Sequence, residues 1–133
     1  MTNFIFADLI TRIRVGYKAR LLSIKVLKNK LTINFLFLLY KIGLIRSFHI
    51  LRNERNILIY LKYKNTKPVI YSIDLISKPS RRIYWNLNVL SHNYRKYAFS
   101  TFYIISTSQG LITSNDAILH KNISGEILCR IQI

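Results

Sequence analysis

The chain has 133 residues, half of them hydrophobic, so it can bury a core and is not a disordered tail. Its 21 Lys and Arg against 5 Asp and Glu give a formal net charge of +16, which favours a polyanionic partner: nucleic acid first, an anionic membrane surface second. The single Cys129 excludes an internal disulfide and a cysteine-based zinc site.

The sequence opens with a predicted amphipathic helix. Apolar residues recur at helical spacing from Phe4 to Ile13, and Gly16 stands where such a helix ends. Arg12 and Arg14 lie off the apolar stripe. From Arg12 to Lys30 the chain carries seven positive charges and no acid, which fits a solvated face and a phosphate-binding surface equally well. Arg12 and Arg14 are therefore candidate nucleic-acid contacts.

The rest of the first half predicts a strand, a second helix and a hairpin. Alternation at Leu22, Ile24 and Val26 predicts a strand with these side chains inward. Leu31 to Ile42 has helical spacing, and Gly43 is a natural residue just past the end of that helix. Two apolar segments, residues 45–51 and 57–63, flank a polar turn at residues 52–56, and this arrangement predicts a β-hairpin.

The segment from Lys64 to Pro68 is the best candidate for a domain boundary. It is polar, and its proline disfavours a central strand. The charge also changes there, since residues 1–66 hold 13 basic and 2 acidic side chains and residues 67–133 hold 8 and 3. We therefore predict two subdomains, 1–66 and 67–133.

The second half predicts mainly antiparallel β structure with short helices. A strand buried on both faces is expected over Val69–Ile76, and a short helix over Asn86–Tyr97. Ser114 is placed to cap a helix that runs to His120. Alternation predicts two further strands, Phe99–Ser106 and Glu126–Ile131. The predicted fold class is thus α+β, with two small α/β subdomains.

Two polar segments of the second half are candidate binding elements. Ser106-Thr107-Ser108-Gln109-Gly110 places two serine hydroxyls before a glycine, a narrow tip that can contact phosphate, ribose or base edges. Its alternative is a solvated turn. Arg81-Arg82-Ile83-Tyr84-Trp85, preceded by Lys78, can clamp a phosphate and stack on a base. Its alternative is a charged loop with a packed tyrosine.

Catalysis and membrane binding are the other hypotheses. His49, His92 and His120 are scattered without metal-ligand spacing, the five acids fall on different predicted elements, and no Gly-rich phosphate loop is present. We therefore expect no enzyme activity, metal, cofactor or small-molecule substrate. An interfacial helix at Leu31–Ile42 would need a strongly charged opposite face, which it lacks, and its apolar run is too short to span a bilayer.

Four blocks of the chain carry a recognisable set of residues in order and spacing: Ala7–Gly16, Ser77–Tyr84, Ser106–Gly110 and Ser124–Cys129. They resemble the family of the eighth protein of the small ribosomal subunit in its bacterial and organellar form. Ser77–Tyr84 is similar to that family's Ser-x-Pro-Gly-x-Arg-x-Tyr loop, with Ser80 where glycine is usual. Ser124 replaces the first glycine of a Gly-Gly-Glu.

The resemblance implies two small α/β subdomains, binding to the central domain of small-subunit ribosomal RNA, a role in assembly, and neighbouring small-subunit proteins as partners. It also implies that Ser106, Thr107, Ser108 and Glu126 lie at the main RNA contact, with Tyr84 and Arg82 nearby. The predicted RNA-binding set combines these residues with the candidates from composition and spacing. It consists of Ser106, Thr107, Ser108, Gly110, Glu126, Tyr84, Arg82, Arg81, Lys78, Arg12 and Arg14.

The location of the protein is predicted from two further features. The N-terminus resembles neither a signal peptide nor a transit peptide. The heavy use of Ile, Leu, Asn, Lys, Tyr and Phe is typical of an AT-rich coding sequence. Together they favour an organelle-encoded protein, mitochondrial first and plastid second.

Overall fold

The structure is a computed structural model that describes residues 2–52, 54–96 and 100–133. The chain divides into two compact units, one up to Ile70 and one from Tyr71 onward. Each unit combines helices with antiparallel strands, which confirms the predicted α+β class with two small subdomains. None of the described helices combines the length and the apolar character needed to cross a membrane.

The first unit packs two helices on a three-stranded sheet. Its elements are α1 (Thr2–Lys18), β1 (Ser23–Leu27), α2 (Lys30–Ile42), β2 (Ile45–Ile50), β3 (Asn56–Leu61), β4 (Tyr63–Lys64) and β5 (Lys67–Pro68). β3 lies between β1 and β2 and is antiparallel to both, so the predicted hairpin is confirmed. The helices meet through Phe6 and Phe35, whose ring centroids lie 5.1 Å apart in an edge-to-face contact.

Two local predictions in this unit are wrong. α1 does not end at Gly16 but continues to Lys18. Gly16 is buried, and a Cβ there would lie 2.8 Å from Cγ2 of Ile24, so the glycine allows β1 to approach the helix. Leu22 precedes β1 and is 78% exposed, whereas Ile24 and Val26 are buried as predicted.

The second helix agrees with its sequence pattern. It buries Phe35, Leu36 and Leu39 together with Thr32. Gly43 follows its last residue with φ +94°, and the Gly43 N–H donates to the carbonyl oxygens of the final turn. A left-handed residue at this position favours glycine because no Cβ has to be accommodated, so the predicted helix end is confirmed.

The second unit is built on a four-stranded antiparallel sheet. Its elements are β6 (Ser72–Leu75), α3 (Leu87–Lys96), β7 (Thr101–Thr107), β8 (Gly110–Thr113), α4 (Ser114–Asp116), a π-helical turn (Ala117–Lys121) and β9 (Glu126–Gln132). The strand order is β6-β9-β7-β8, which places the C-terminal strand centrally. Leu90 and Ala117 join a buried cluster with sheet residues Tyr103, Ile105, Ile112 and Ile127.

The strand predicted over Val69–Ile76 is shorter and less buried than expected. β6 covers only Ser72–Leu75, and Ile73 is its one buried side chain. As one of the two edge strands of this sheet, β6 pairs only with β9 among the described residues. Two predicted boundaries lie outside the described residues: the start of the strand at Phe99 and the end of the helix at Tyr97. The described part of the predicted strand Phe99–Ser106 is β7.

Ser114 does not cap the helix that follows it. Its side chain is buried, and its Oγ accepts a hydrogen bond from the backbone N–H of Tyr103 at 3.2 Å. The N-cap is Thr113, whose Oγ1 accepts from the N–H of Asp116 at 3.3 Å. Ser114 follows β8 directly, and its hydroxyl satisfies a backbone donor of β7 instead of a helix terminus.

Candidate nucleic-acid interface

The loop between β6 and α3 carries the predicted basic contacts. Lys78 and Arg81 exchange two backbone hydrogen bonds of 3.0 Å, which close a tight turn over Pro79 and Ser80. Proline suits the first central position of such a turn, and Ser80 lies outside the positive-φ region, so this turn does not need a glycine. The side chains of Lys78, Arg81 and Arg82 are exposed.

Ser77, which opens the Ser77–Tyr84 block but is not among the predicted RNA contacts, joins this loop to β9. The residue is 5% exposed. Its Oγ donates to Oε1 of Glu126 at 2.8 Å and accepts from the N–H of Ile83 at 3.0 Å. Nη1 of Arg82 lies 3.4 Å from the same carboxylate oxygen. The hydroxyl therefore fixes both the loop backbone and the Glu126 carboxylate.

Strand register aligns three of the predicted contacts. Tyr84 pairs with Glu126 in an isolated antiparallel bridge, and Glu126 pairs with Ser106 of β7. Directly opposed residues of antiparallel strands project from the same face of a sheet. Tyr84, Glu126 and Ser106 therefore form a side-by-side row, which we call the polar row. Tyr84 is 66% exposed, and the other two residues are partly buried.

Gly125 allows the polar row to form. A Cβ at this position would overlap the backbone carbonyl of Ser106 and come within 3.4 Å of Cα of Thr107. Backbone atoms cannot swing aside as a side-chain tip can, so the close approach of β9 to β7 requires glycine here. The sequence shows the Gly125-Glu126 pair within the Ser124–Cys129 block, but the reason for the glycine is the pairing of β9 with β7.

The predicted polar tip is the connection between β7 and β8. Thr107 pairs with Gly110, which leaves Ser108 and Gln109 as a two-residue turn. Oγ1 of Thr107 donates to the carbonyl of Gly110 at 2.8 Å and accepts from the N–H of Gln109 at 3.2 Å. Gly110 has φ +107°, so the predicted use of its conformational freedom is confirmed.

The three hydroxyls of this tip have different surroundings. Thr107 is occupied in closing the turn. Ser108 is exposed beyond the end of β7, so strand alternation does not align it with Ser106. Ser106 is the hydroxyl that the register places beside Glu126. Of the three, Ser106 and Ser108 therefore offer the hydroxyls best placed for an external partner.

The two aromatic residues after the arginines have opposite environments. Trp85 packs against Tyr103, with ring centroids 5.1 Å apart in an edge-to-face contact, and borders the buried cluster. Its carbonyl accepts from Oγ of Ser124 at 2.6 Å. Tyr84 faces solvent, as expected for neighbours along an extended chain. The segment thus contains one packed aromatic ring and one available for stacking.

Arg12 and Arg14 belong to the first unit, where both side chains are exposed. Nε of Arg12 lies 2.8 Å from Oδ2 of Asp8, and its Nη1 donates to the carbonyl of Lys25 at 3.0 Å. Arg12 therefore links α1 to β1 in addition to its predicted contact with RNA. Such an exposed ion pair contributes little to stability.

Histidine, cysteine and acidic side chains are scattered over the part of the chain that the structure describes. No group of three or more His, Cys, Asp or Glu side chains there could hold a metal ion. Cys129 lies fully buried in β9, and burial raises the pKa of its thiol, so the thiol is protonated and unreactive at neutral pH.

Comparisons with known proteins match nearly the whole chain. A family model described as ribosomal protein S8 covers residues 5–132. The small ribosomal subunit protein uS8m of Acanthamoeba castellanii is 42% identical over 127 residues, 96% of this chain and 98% of the relative. The uS8 protein of Buchnera aphidicola subsp. Baizongia pistaciae is 39% identical over 94% of both chains. The uS8c protein of Gracilaria tenuistipitata var. liui is 38% identical over 98% of this chain and 99% of the relative.

Proposed function

The chain belongs to the ribosomal protein S8 family, a structural and non-enzymatic family of the small ribosomal subunit, and from this premise we propose that it binds the central domain of small-subunit ribosomal RNA. In this proposal the protein supports assembly of the subunit during translation in an organelle. The residues from 67 onward form its RNA-binding subdomain.

The observation that supports this proposal most strongly is the polar row. A phenol ring, a carboxylate and a hydroxyl lie side by side on one sheet face, with Ser108 at the adjoining turn. Tyr84 offers a ring for stacking on a base or ribose, and Ser106 offers a small hydroxyl that fits a narrow groove. Contacts of this kind read shape and base edges, and they give specificity more than affinity.

Glu126 is the least expected member of an RNA site. Its side chain is 15% exposed and is held by the hydroxyl of Ser77 and the guanidinium of Arg82. A carboxylate fixed in this way can accept from a base amino group or a 2′-hydroxyl, whereas a phosphate would be repelled. Glu126 therefore selects the register in which bases, and not phosphates, face it.

The exposed basic residues supply affinity in this proposal. The loop beside the polar row carries three exposed basic residues, Lys78, Arg81 and Arg82. Helix α1 carries two more, Arg12 and Arg14. Each phosphate they neutralise releases counterions, so this part of the binding weakens as salt rises and does not depend on RNA sequence.

We place the protein in the mitochondrial ribosome, with the plastid as the second candidate. The 42% identical relative from Acanthamoeba castellanii carries the mitochondrial designation uS8m, and this supports the first assignment. The uS8c relative from Gracilaria tenuistipitata supports the second. Neighbouring small-subunit proteins are the expected protein partners.

The proposal is tested by affinity measurements over a salt series. Full-length protein is titrated with a short helix from the central domain of the cognate RNA and with an unrelated duplex of equal length. The variant S106A/S108A removes both available hydroxyls. Ser100→Ala is the matched control, because Ser100 is exposed in the same unit and only its backbone carbonyl makes a described hydrogen bond.

We expect the wild type and S100A to prefer the cognate helix. The double variant should lose about 1–3 kcal/mol of that preference and keep the same salt slope. Equal binding of both RNAs by all three proteins would contradict the proposal and favour the alternative, a general basic RNA-binding protein. Binding to anionic vesicles that competes with the cognate RNA would favour a membrane-surface protein.

A further inference from the structure

A groove in the first unit has the features of a second binding site. It has a volume of about 380 Å³ and lies between α2 and β2. Its lining combines aromatic, aliphatic and polar side chains: Phe37, Tyr40, Ser47, Phe48, His49 and Ile50. None of these residues is among the predicted RNA contacts.

The groove follows the edge of the sheet. Successive side chains of a strand point to opposite faces, so the consecutive residues 47–50 line one groove by combining side chains with backbone atoms, and β2 lies at one edge of the sheet, where its backbone is accessible. β2 pairs with β3 alone among the described residues, so its other side presents backbone N–H and C=O groups without a partner strand. An edge of this kind is a template for an added strand.

The wall of the groove is preformed and apolar. Phe37 and Tyr40 of α2 are 57% and 54% exposed and line the same groove, so they form a contiguous exposed apolar patch. Both rings contact Phe48 edge to face, with centroid separations of 5.1 Å for Phe37 and 6.4 Å for Tyr40. The rings therefore hold one another in place beside the strand edge, which reduces the ordering needed when a partner binds.

The charge around the groove selects its partner. Lys41 and Arg46 adjoin lining residues in the sequence, and both are exposed. From Lys30 to Arg52 the chain contains no Asp or Glu. A segment that carries acidic residues between apolar ones would therefore complement both the apolar wall and its basic flanks.

We propose that this groove binds an extended acidic and apolar segment of another protein, which adds as a strand to the edge of β2. Alternate side chains of that segment would pack against Phe37 and Tyr40, and its acidic residues would face Lys41 and Arg46. A second copy of this chain fits less well because each copy carries a net charge of +16. Single-stranded RNA also fits less well, since the rings contact one another edge to face and are not arranged as parallel stacking platforms.

The test uses full-length protein and a fluorescein-labelled peptide of about ten residues in which Val and Glu alternate. Binding is followed by fluorescence anisotropy at about 0.15 M salt, which screens long-range attraction. A second peptide has alternate backbone nitrogens methylated, which keeps its charge and blocks strand pairing. Phe37→Ser is compared with Leu22→Ser, a matched change at an equally apolar, exposed position of the same unit. Thermal melting verifies that both variants are folded.

We expect the Val-Glu peptide to bind, and we expect both N-methylation and Phe37→Ser to weaken binding by about tenfold or more, while Leu22→Ser has no effect. Absence of binding at millimolar peptide, or equal binding of the methylated peptide, overturns the proposal. So does equal loss in the two variants. Phe37-dependent binding of oligouridine, or Phe37-dependent dimerisation in sedimentation, assigns the groove to RNA or to a second copy and overturns it too. The assay contains no ribosomal RNA, so its outcome is independent of the RNA-binding proposal.

Discussion

Each unit of this protein contains a buried hydroxyl that joins separate segments, and the two joints differ in what they leave exposed. In the first unit the hydroxyl of Tyr17 donates to the carbonyl of Leu44 at 2.8 Å and accepts from the N–H of Lys62 at 3.2 Å. In the second unit the hydroxyl of Ser77 accepts from the N–H of Ile83 and donates to the carboxylate of Glu126.

The difference lies in the chemistry of the second partner. Tyr17 connects two neutral backbone groups, so its hydrogen bonds end inside the unit. Ser77 connects a backbone group to a charged side chain that still reaches the surface beside Ser106 and Tyr84. The buried hydroxyl of Tyr17 thus stabilises the first unit only, whereas that of Ser77 also positions the Glu126 carboxylate, a candidate recognition group. Five measurements test whether the two units differ in this way.

The largest effect is expected from adding one methyl group at a closely packed glycine, and each unit has one such position to compare, Gly125 and Gly16. Gly125→Ala should cost about 3 kcal/mol or more in the free energy of unfolding, because its Cβ meets the backbone of Ser106. Gly16→Ala should cost less, about 1–2 kcal/mol, since the obstacles are the side chains of Ile24 and Leu61 and not backbone atoms, and alanine favours the helix. Urea unfolding of both variants measures the difference. Equal costs would mean that β9 can move away from β7 freely.

Removal of the first joint, the hydroxyl of Tyr17, should lower the free energy of unfolding and leave RNA affinity unchanged. Tyr17→Phe leaves the Leu44 carbonyl and the Lys62 N–H without their partner, and Tyr17 is 4% exposed, so we expect a loss of about 2 kcal/mol. RNA affinity of the folded variant should equal that of the wild type. A loss of discrimination between cognate and unrelated RNA would show that the two joints are not functionally distinct.

The first joint should also respond to alkaline pH. Burial raises the pKa of Tyr17 to about 12 from the ordinary value of 10.0, against a smaller opposing contribution from the Lys62 N–H. The folded state therefore holds this proton more tightly than the unfolded state. The stabilisation is complete below pH 10 and is lost as pH rises towards 12, by about 2 kcal/mol in all. Between pH 9 and pH 12 the free energy of unfolding should fall more steeply for the wild type than for Tyr17→Phe. Parallel curves for the two proteins would contradict this prediction.

Removal of the second joint should affect both stability and recognition. Ser77→Ala leaves the Ile83 N–H without an acceptor and releases Glu126, so we expect a loss of about 1–2 kcal/mol in unfolding free energy. The preference for cognate RNA should fall as well, because the carboxylate is no longer fixed. The control is Ser100→Ala, which should change neither quantity. Unchanged RNA preference in Ser77→Ala would make this joint purely structural, like that of Tyr17.

The smallest effect concerns a buried hydroxyl that joins nothing. Oγ1 of Thr32 on α2 is buried without a hydrogen-bond partner among the described residues, and the residue is 1% exposed. Thr32→Val keeps the shape and removes the unsatisfied oxygen, so we expect a gain of about 0.5–1 kcal/mol. Thermal unfolding measures it. A loss of stability would show that Thr32 does have a partner in solution and belongs with the other two joints.

Elements whose signals are local could be predicted from the amino-acid sequence alone. Helical spacing placed α2, Gly43 marked its end, the polar turn between two apolar strands placed β3, and alternation placed β9, because these patterns depend on residues within a few positions of one another. The predicted binding segments also followed from local residues, with their role implied by the family resemblance.

The contacts that those residues make depend on how distant segments pack together. Ser77 belongs to a block that resembles the family, but no local pattern pairs its hydroxyl with Glu126, which lies 49 positions away. Gly16 has the local appearance of a helix end, yet its role depends on Ile24 of the neighbouring strand. Ser114 looked like a cap until β7 supplied a buried N–H. In each case the deciding contact joins residues distant in sequence or in separate elements, and a local pattern contains no information about that pairing.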